Sequence, residues 1–358
     1  MLDKKSDTSL TVDALRAFAA QAVCVGHAIN FADIGFKTYL PHVGVMLFFI
    51  ISGFVIAFTL DSKSASPEYG ILRFGVERFS RIYTAYLPAL VLIAVADHLA
   101  LSAGIPLSVT SLQWNVFTGN LFMLQGVPSN IGTSTYGSAG QLTSVAVEFH
   151  IYFFVGALYF FFKGRRRFAC LAIALIFSVM PLGYFYGWEG TDRGLFILWL
   201  LGFASYYLCS AVKIDRELAL ISLFAVPLLV IYWSLHVTAG SEYDVVNYPV
   251  FAFIFLFVII ASSRSCFFEK HLVLNRLIRG FANCSFSLFL THLTLVKILL
   301  ATLPGEKWVN IVSSIVIANI FAFGFYLLFE KHYRQVATAL SSMLATVDRK
   351  IASLRPVK

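Results

Sequence analysis

Apolar runs of about 20 residues recur along nearly the whole chain, and they dictate the fold class. Lipid offers no hydrogen-bond partners to a polypeptide backbone, so a segment of this length crosses as a helix that satisfies its own amides. Of the 358 residues, 59% are hydrophobic and only 13% are charged. A soluble domain carries about 25% charged residues. The strict polar/apolar alternation of a transmembrane barrel is missing. The chain therefore reads as an all-α, polytopic integral membrane protein with about ten transmembrane helices. The runs fall at residues 13–33, 43–61, 83–103, 142–162, 168–187, 194–212, 217–236, 247–264, 281–302 and 308–330.

The distribution of positive charge fixes an orientation for those spans. With the N-terminus cytoplasmic, 22 of the 27 Lys and Arg residues fall in inner loops or the C-terminal tail. Lys37, Arg193 and Lys307 fall in outer loops, and Arg16 and Lys297 lie within spans. This bias is the positive-inside pattern, and it predicts that both termini are cytoplasmic. It also explains the net charge of +8 without a nucleic-acid partner. A single transmembrane domain over 1–335 and a cytoplasmic tail over 336–358 are expected, with 331–358 reading as an amphipathic helix. The polar start "MLDKKSDTSL" runs straight into a span, which reads as no cleavable signal. Five scattered cysteines show no metal or disulfide spacing and are expected to be packing residues. The stretch 104–140 is too polar to span cleanly and reads as re-entrant or interfacial.

Against this apolar background the ionisable residues stand out, because each is costly in lipid. The first span, "VDALRAFAAQAVCVGHAINF", holds Arg16 and His27. Eleven residues at about 100° each bring the two side chains to one helical face, roughly 16 Å apart in depth. A snorkelling arginine with a packed histidine is one reading, and a functional pair is the other. In "RFGVERFSRIY", Arg78 and Arg81 share a face at i, i+3 spacing, an arrangement suited to a phosphate or pyrophosphate as well as to lipid headgroups. In "QLTSVAVEFHIYFF", Ser144, Glu148 and Tyr152 share one face, with His150 turned away. Counting inward from the outer end places Glu148 at a depth like that of His27, so a base with an orienting carboxylate is expected there. The ninth span, "FANCSFSLFLTHLTLVKILL", carries Ser287, His292 and Lys297 and reads as lining a cavity or as making interhelical hydrogen bonds. "ISGF" in the second span reads as a place of close helix or ligand approach, and Glu330 as a structural partner for a basic residue.

Taken together, these blocks resemble the membrane acyltransferase-3 family. Arg16 and His27 match its R-x10-H pattern, and "VGVMLFFIISGFVI" is similar to its second-helix block. Arg78 and Arg81 match its R-x-x-R-I block, Ser144 and Glu148 its S-L-x-x-E block, and Ser287 and His292 its Y-S-x-Y-L-x-H block. The chain departs from the pattern at Phe286 and Phe289, where tyrosines are usual, and at Tyr83, where proline is common.

The resemblance implies O-acylation of carbohydrate in the bacterial inner membrane. The donor would be acetyl-CoA or another acyl-CoA, used as a substrate, with no tightly bound cofactor and no metal. A glycan or lipid-linked precursor would be the acceptor. On that basis Arg16, Arg78 and Arg81 are expected to hold the coenzyme phosphates, His27 to act as general base, and Glu148 to orient it. Ser144, Ser287 and His292 are expected to shape the acceptor pocket. A proton-coupled transporter or flippase, and a non-catalytic acyl-CoA or lipid-binding protein, are the alternatives the same intramembrane charges allow.

Overall fold

The computed structural model describes residues 7–127, 132–186, 194–236, 245–263 and 271–353, with the side chains of 184–186 and 347–353 outside that description. Cys266 and residues 354–358 of the tail also fall outside it. The long helices are α1 (Asp7–Phe31), α2 (Leu40–Lys63), α3 (Ile71–Ser102), α5 (Leu142–Phe162), α9 (Arg216–His236), α10 (Tyr248–Ser262), α12 (Ser285–Thr302) and α13 (Lys307–Leu328). Shorter ones are α4 (Trp114–Leu121), α6 (Arg167–Ile176), α7 (Val179–Tyr186), α8 (Leu195–Ala211) and α11 (Leu272–Asn283), and α14 (Tyr333–Ser353) closes the described chain. Among the described residues there is no strand, only an isolated bridge between Gln125 and Thr133.

Among the described residues, eight helical segments are long and apolar enough to cross a membrane. The two other expected spans differ in form. The run at 168–187 is divided into α6 and α7, which part at Phe177 and Ser178. Pro181 explains the break. In a continuous helix its ring would meet the carbonyl four residues back, at Phe177, whereas near the start of a new helix it is tolerated. The run at 194–212 becomes the 17-residue α8. At the other extreme, α3 starts at Ile71 rather than near 83, so the arginine-bearing segment forms the first turns of one 32-residue helix.

Two apolar cores organise the bundle. The larger joins α2, α3, α5, α8 and α10, and includes Phe54, Phe74, Tyr86, Phe160, Trp199 and Phe255. The smaller lies between α1, α12 and α13, where Ala20, Cys24 and Ala28 meet Leu288, Val296 and Ala318. Small residues at i, i+4, i+8 on α1 let those helices approach closely. The cysteines Cys24, Cys170, Cys209 and Cys284 are buried and free.

The segment after α3 is folded back into the bundle. The Tyr83 and Tyr86 hydroxyls donate to the carbonyls of Leu121 and Asn120, and the His150 ring meets the carbonyl of Met123. Those tyrosines lie roughly 25 Å back along α3 from its end at Ser102. Backbone at such depth needs internal partners. Asn120 supplies three, to Val116, Ser134 and Tyr136, and Gln125 donates to Tyr86 and Leu142. Nearer the end of α3, buried Asp97 accepts from the Ser138 amide and hydroxyl, and Lys297 on α12 donates to the Ser138 carbonyl.

The crossing of α2 and α8 rests on two glycines. A Cβ on Gly53 would lie 2.0 Å from the Trp199 carbonyl oxygen, and one on Gly202 would lie 2.0 Å from that of Ile50. Gly53→Val is expected to force the helices apart and lower stability by about 1–3 kcal/mol. Gly324→Ala on α13, where an added Cβ meets nothing within 4 Å, is expected instead to add about 0.5–1 kcal/mol. Thermal unfolding of the detergent-solubilised protein separates the two outcomes.

Candidate active site

Three guanidinium groups converge where α1, α2, α3, α5 and α12 meet. Arg16, Arg78 and Arg81 line a cavity of about 150 Å³ together with Ser52, Glu148, Tyr152 and Phe286. They are not equivalent. The Arg81 Nη1 donates to Glu330 Oε1 at 2.6 Å, and Glu330 is only 1% exposed. Its other oxygen accepts from the Ser287 amide at 3.0 Å and the Ser287 hydroxyl at 2.6 Å. Glu330 thus holds Arg81 and caps the first turn of α12 at once. Among the described residues, Arg16 and Arg78 pair within 4 Å with the distant carboxylates of Asp13, at 3.8 Å, and Glu77, at 3.9 Å. Among the described residues neither donates a hydrogen bond, and the buried Arg78 Nε has no acceptor. Stacking over the rings of Phe74 and Tyr152 holds the Arg78 plane in place. Two arginines therefore face the cavity with donors to spare, and Arg81 supplies charge from a fixed position.

The carboxylate of Glu148 belongs to this same cavity. The Tyr152 hydroxyl donates to Glu148 Oε1 at 2.5 Å. Having given its proton there, Tyr152 can only accept from Ser52 Oγ at 2.8 Å, and Ser52 in turn accepts from Trp199 Nε1 at 3.0 Å. A directed chain of donors thus runs from α8 through α2 to Glu148. It leaves the second carboxylate oxygen open toward the cavity.

His27 lies apart from this group. Its Nδ1 is 2.9 Å from Nε2 of His292, and the two rings stack nearly parallel with centroids 5.2 Å apart. The His292 Nδ1 meets the carbonyl oxygens of Leu288 and Phe289, at 3.0 Å and 2.9 Å. A carbonyl can only accept, so His292 carries its proton on Nδ1 and offers a lone pair on Nε2. The His27 Nδ1 must then be the donor. In the neutral ring this leaves the lone pair of His27 on Nε2, ready to take a proton.

Two phenyl rings lie between the arginine cavity and the histidine pair. Phe48 lines the cavity and meets Phe289 edge to face at 5.3 Å, and Phe289 is 6.1 Å from the His292 ring.

The structure thus gathers Arg16, Arg78, Arg81 and Glu148 at one place and His27 with His292 at another. Among the described residues no hydrogen bond joins His27 to Glu148. The carboxylate expected to orient His27 faces the arginines, and His292, expected in the acceptor pocket, is the group bonded to His27. Ser144 donates to the Gln141 carbonyl within its own first turn, while Gln141 ties α5 to the Leu290 carbonyl. Ser287 is fully buried against Glu330, and its five-residue offset turns it about 140° from His292 on α12. His150 serves the folded-back segment. The cluster of Asp97, Ser138 and Lys297 was not anticipated, although Asp97, an acid within an apolar run, carries the same signal that singles out Glu148.

A family model described as an acyltransferase domain matches residues 10–329, nearly the whole chain. No curated protein and no solved structure matched it. The match takes in Arg16, Arg78, Arg81, Glu148, His27 and His292, and the chain belongs to this family of membrane acyltransferases.

Proposed function

We propose that this protein moves an acyl group, acetyl by preference, from acyl-CoA in the cytoplasm to a hydroxyl of a cell-surface or lipid-linked carbohydrate. The bacterial inner membrane is the compartment this reading implies, with the arginine end of the bundle facing the cytoplasm. The observation that carries it is the lone pair on His27 Nε2, fixed by His292 and placed along α1 from an arginine cavity with unused donors.

The chemistry follows from that arrangement. Arg16 and Arg78 bind the coenzyme pyrophosphate through forked, charge-assisted hydrogen bonds, and Arg81 adds charge while held by Glu330. The pantetheine arm then extends along the Arg16 face of α1. The rise of a helix over the eleven residues from Arg16 to His27, roughly 16 Å, is comparable to the length of that arm. Phe48 and Phe289 swing aside as the thioester passes. At the far end, the acceptor hydroxyl gives its proton to His27 Nε2 as its oxygen attacks the thioester carbonyl. The carbon–sulfur bond breaks, the ester forms, and the proton on His27 returns to the departing thiolate. Glu148 balances the arginine charge when no donor is bound. Ser144 and the α12 face beside His292 border the acceptor side.

His27→Ala is expected to abolish thiol release from acetyl-CoA in the presence of cell-surface glycan, and near wild-type release would overturn the assignment. His292→Phe keeps the ring volume but removes the acceptor for the His27 Nδ1 proton. It is expected to lower kcat about 10–100-fold, the usual scale for loss of such an orienting partner, with the donor KM unchanged. Arg78→Ala is expected to do the reverse, raising the donor KM about tenfold or more with little change in kcat. A transporter or a passive lipid binder would release no thiol from any variant. Mass spectrometry of surface polysaccharide from a deletion strain, showing loss of one acetyl unit per modified sugar, would identify both group and acceptor.

A further inference from the structure

A second, larger cavity lies beside the start of α3, and the acyl transfer itself makes no use of it. It measures about 790 Å³ and is bordered by Arg73 and Glu77 on α3, by Arg165 and Arg166 after α5, and by Thr338 and Ser341 on α14. That volume lies in the range typical of pockets for ligands the size of a nucleotide. Pro67, Ile71, Leu72 and Leu344 add apolar wall.

Its cations divide into fixed and free groups. Arg165 is spent on the chain itself, donating to the carbonyls of Ser66, Tyr69 and Ser64. Glu77 is also occupied, by Lys63 at 2.7 Å and by the Tyr69 hydroxyl at 2.9 Å. Burial, reinforced by the Glu77 charge, raises the Tyr69 phenol above its ordinary value, so it stays a donor. Among the described residues the guanidinium groups of Arg73 and Arg166 have neither a hydrogen bond nor an ion pair, and both residues are exposed. Glu68, also exposed, is the carboxylate against them. The balance is cationic, and it sits next to the uncapped first turn of α3, whose amides add partial positive charge.

The two cavities share a helix. Glu77 borders the larger one and its neighbour Arg78 borders the smaller. The α14 helix begins at Tyr333, whose ring stacks on Arg81, and packs along α3 until Leu344 and Ala345 reach the larger cavity. From Arg81 back to Arg73 is roughly 12 Å along α3. A ligand whose pyrophosphate rests on Arg16 and Arg78 thus has its nucleotide end directed at this pocket.

We infer that the cavity beneath α14 binds the 3′-phosphorylated adenosine of the acyl donor, with Arg73 and Arg166 on the 3′-phosphate and the apolar wall against the purine. This rests on the acyl-CoA reading above and extends it to the tail helix. A phosphate on a lipid headgroup has the same chemistry, so the test must separate the two sources.

The test is calorimetric binding of CoA and of 3′-dephospho-CoA to the full-length protein in phosphatidylcholine nanodiscs. It is then repeated with Arg73→Ala combined with Arg166→Asn. Asparagine is chosen because residue 166 has φ +48°, a backbone it tolerates. The wild type is expected to bind CoA about tenfold or more tightly than the dephospho form, the scale of lost charged hydrogen bonds. The double variant is expected to bind both at the weaker level. Equal wild-type affinities would overturn the inference while leaving the acyl-CoA reading intact, as would a variant that weakens both ligands by the same factor. Binding of neither ligand would overturn both. In nanodiscs containing phosphatidylglycerol the discrimination is expected to persist. If the variant differs from wild type only there, the pocket holds a lipid headgroup and the inference fails.

Discussion

The buried carboxylate of Glu330 is the interaction on which the site depends. One oxygen holds Arg81 of α3, and the other holds the first amide and hydroxyl of the Ser287 turn on α12. Glu330 itself follows α13. Three helices are thereby indexed to one another at one point, with geometry that an apolar contact could not impose. A pair this deeply buried contributes little net stability, because desolvation offsets most of the attraction. What it supplies is registration. With α12 held at Ser287, His292 follows about one and a half turns later, at the height where it meets His27.

Element existence was legible because lipid imposes a length on every crossing. The apolar runs, their spacing and the shared face of Arg16 and His27 follow from periodicity alone. What the residues could not give is which helix faces which. Counting residues from the outer end of its span puts Glu148 at the height of His27. Such counting gives height only if the loops lie flat. Here residues 104–127 and 132–140 fold back along α3, and α5 is oriented by the bond of Gln141 to α12 and that of His150 to the folded-back segment. Glu148 consequently faces Arg78, and the partner of His27 comes from α12. The division of the fifth run at Pro181 was visible in principle. So was Asp97, whose acidity in an apolar stretch marks the clip that fixes the folded-back segment.

The two clusters divide polar work in a way that suits a membrane. Each charge near the arginine cavity has a counter-charge, a ring or a prospective ligand within reach. In the histidine pair, His292 is anchored by backbone carbonyls and His27 by His292. Arg16, Arg78, Arg81 and Glu148 stand at the end where the donor is proposed to enter, Asp97 and Lys297 clip the folded-back segment, and the histidine pair relies on tautomer rather than charge. His292 determines that tautomer through two carbonyls of its own helix. Even modest movement of α12 would thus alter the basicity offered by His27 without any change in composition.

The edge-to-face contact of Phe48 with Phe289 has a consequence for the membrane itself. A channel wide enough for a pantetheine arm is also wide enough for hydrated ions, and a standing passage of that kind would dissipate the potential across the bilayer. Two phenyl rings give an ion nothing to replace its hydration shell, whereas a flexible uncharged arm with methylene stretches can part them and be gripped as it does so. Under the proposed reaction the seal opens only around the donor's arm, and reaching through the bilayer need not leave a hole in it.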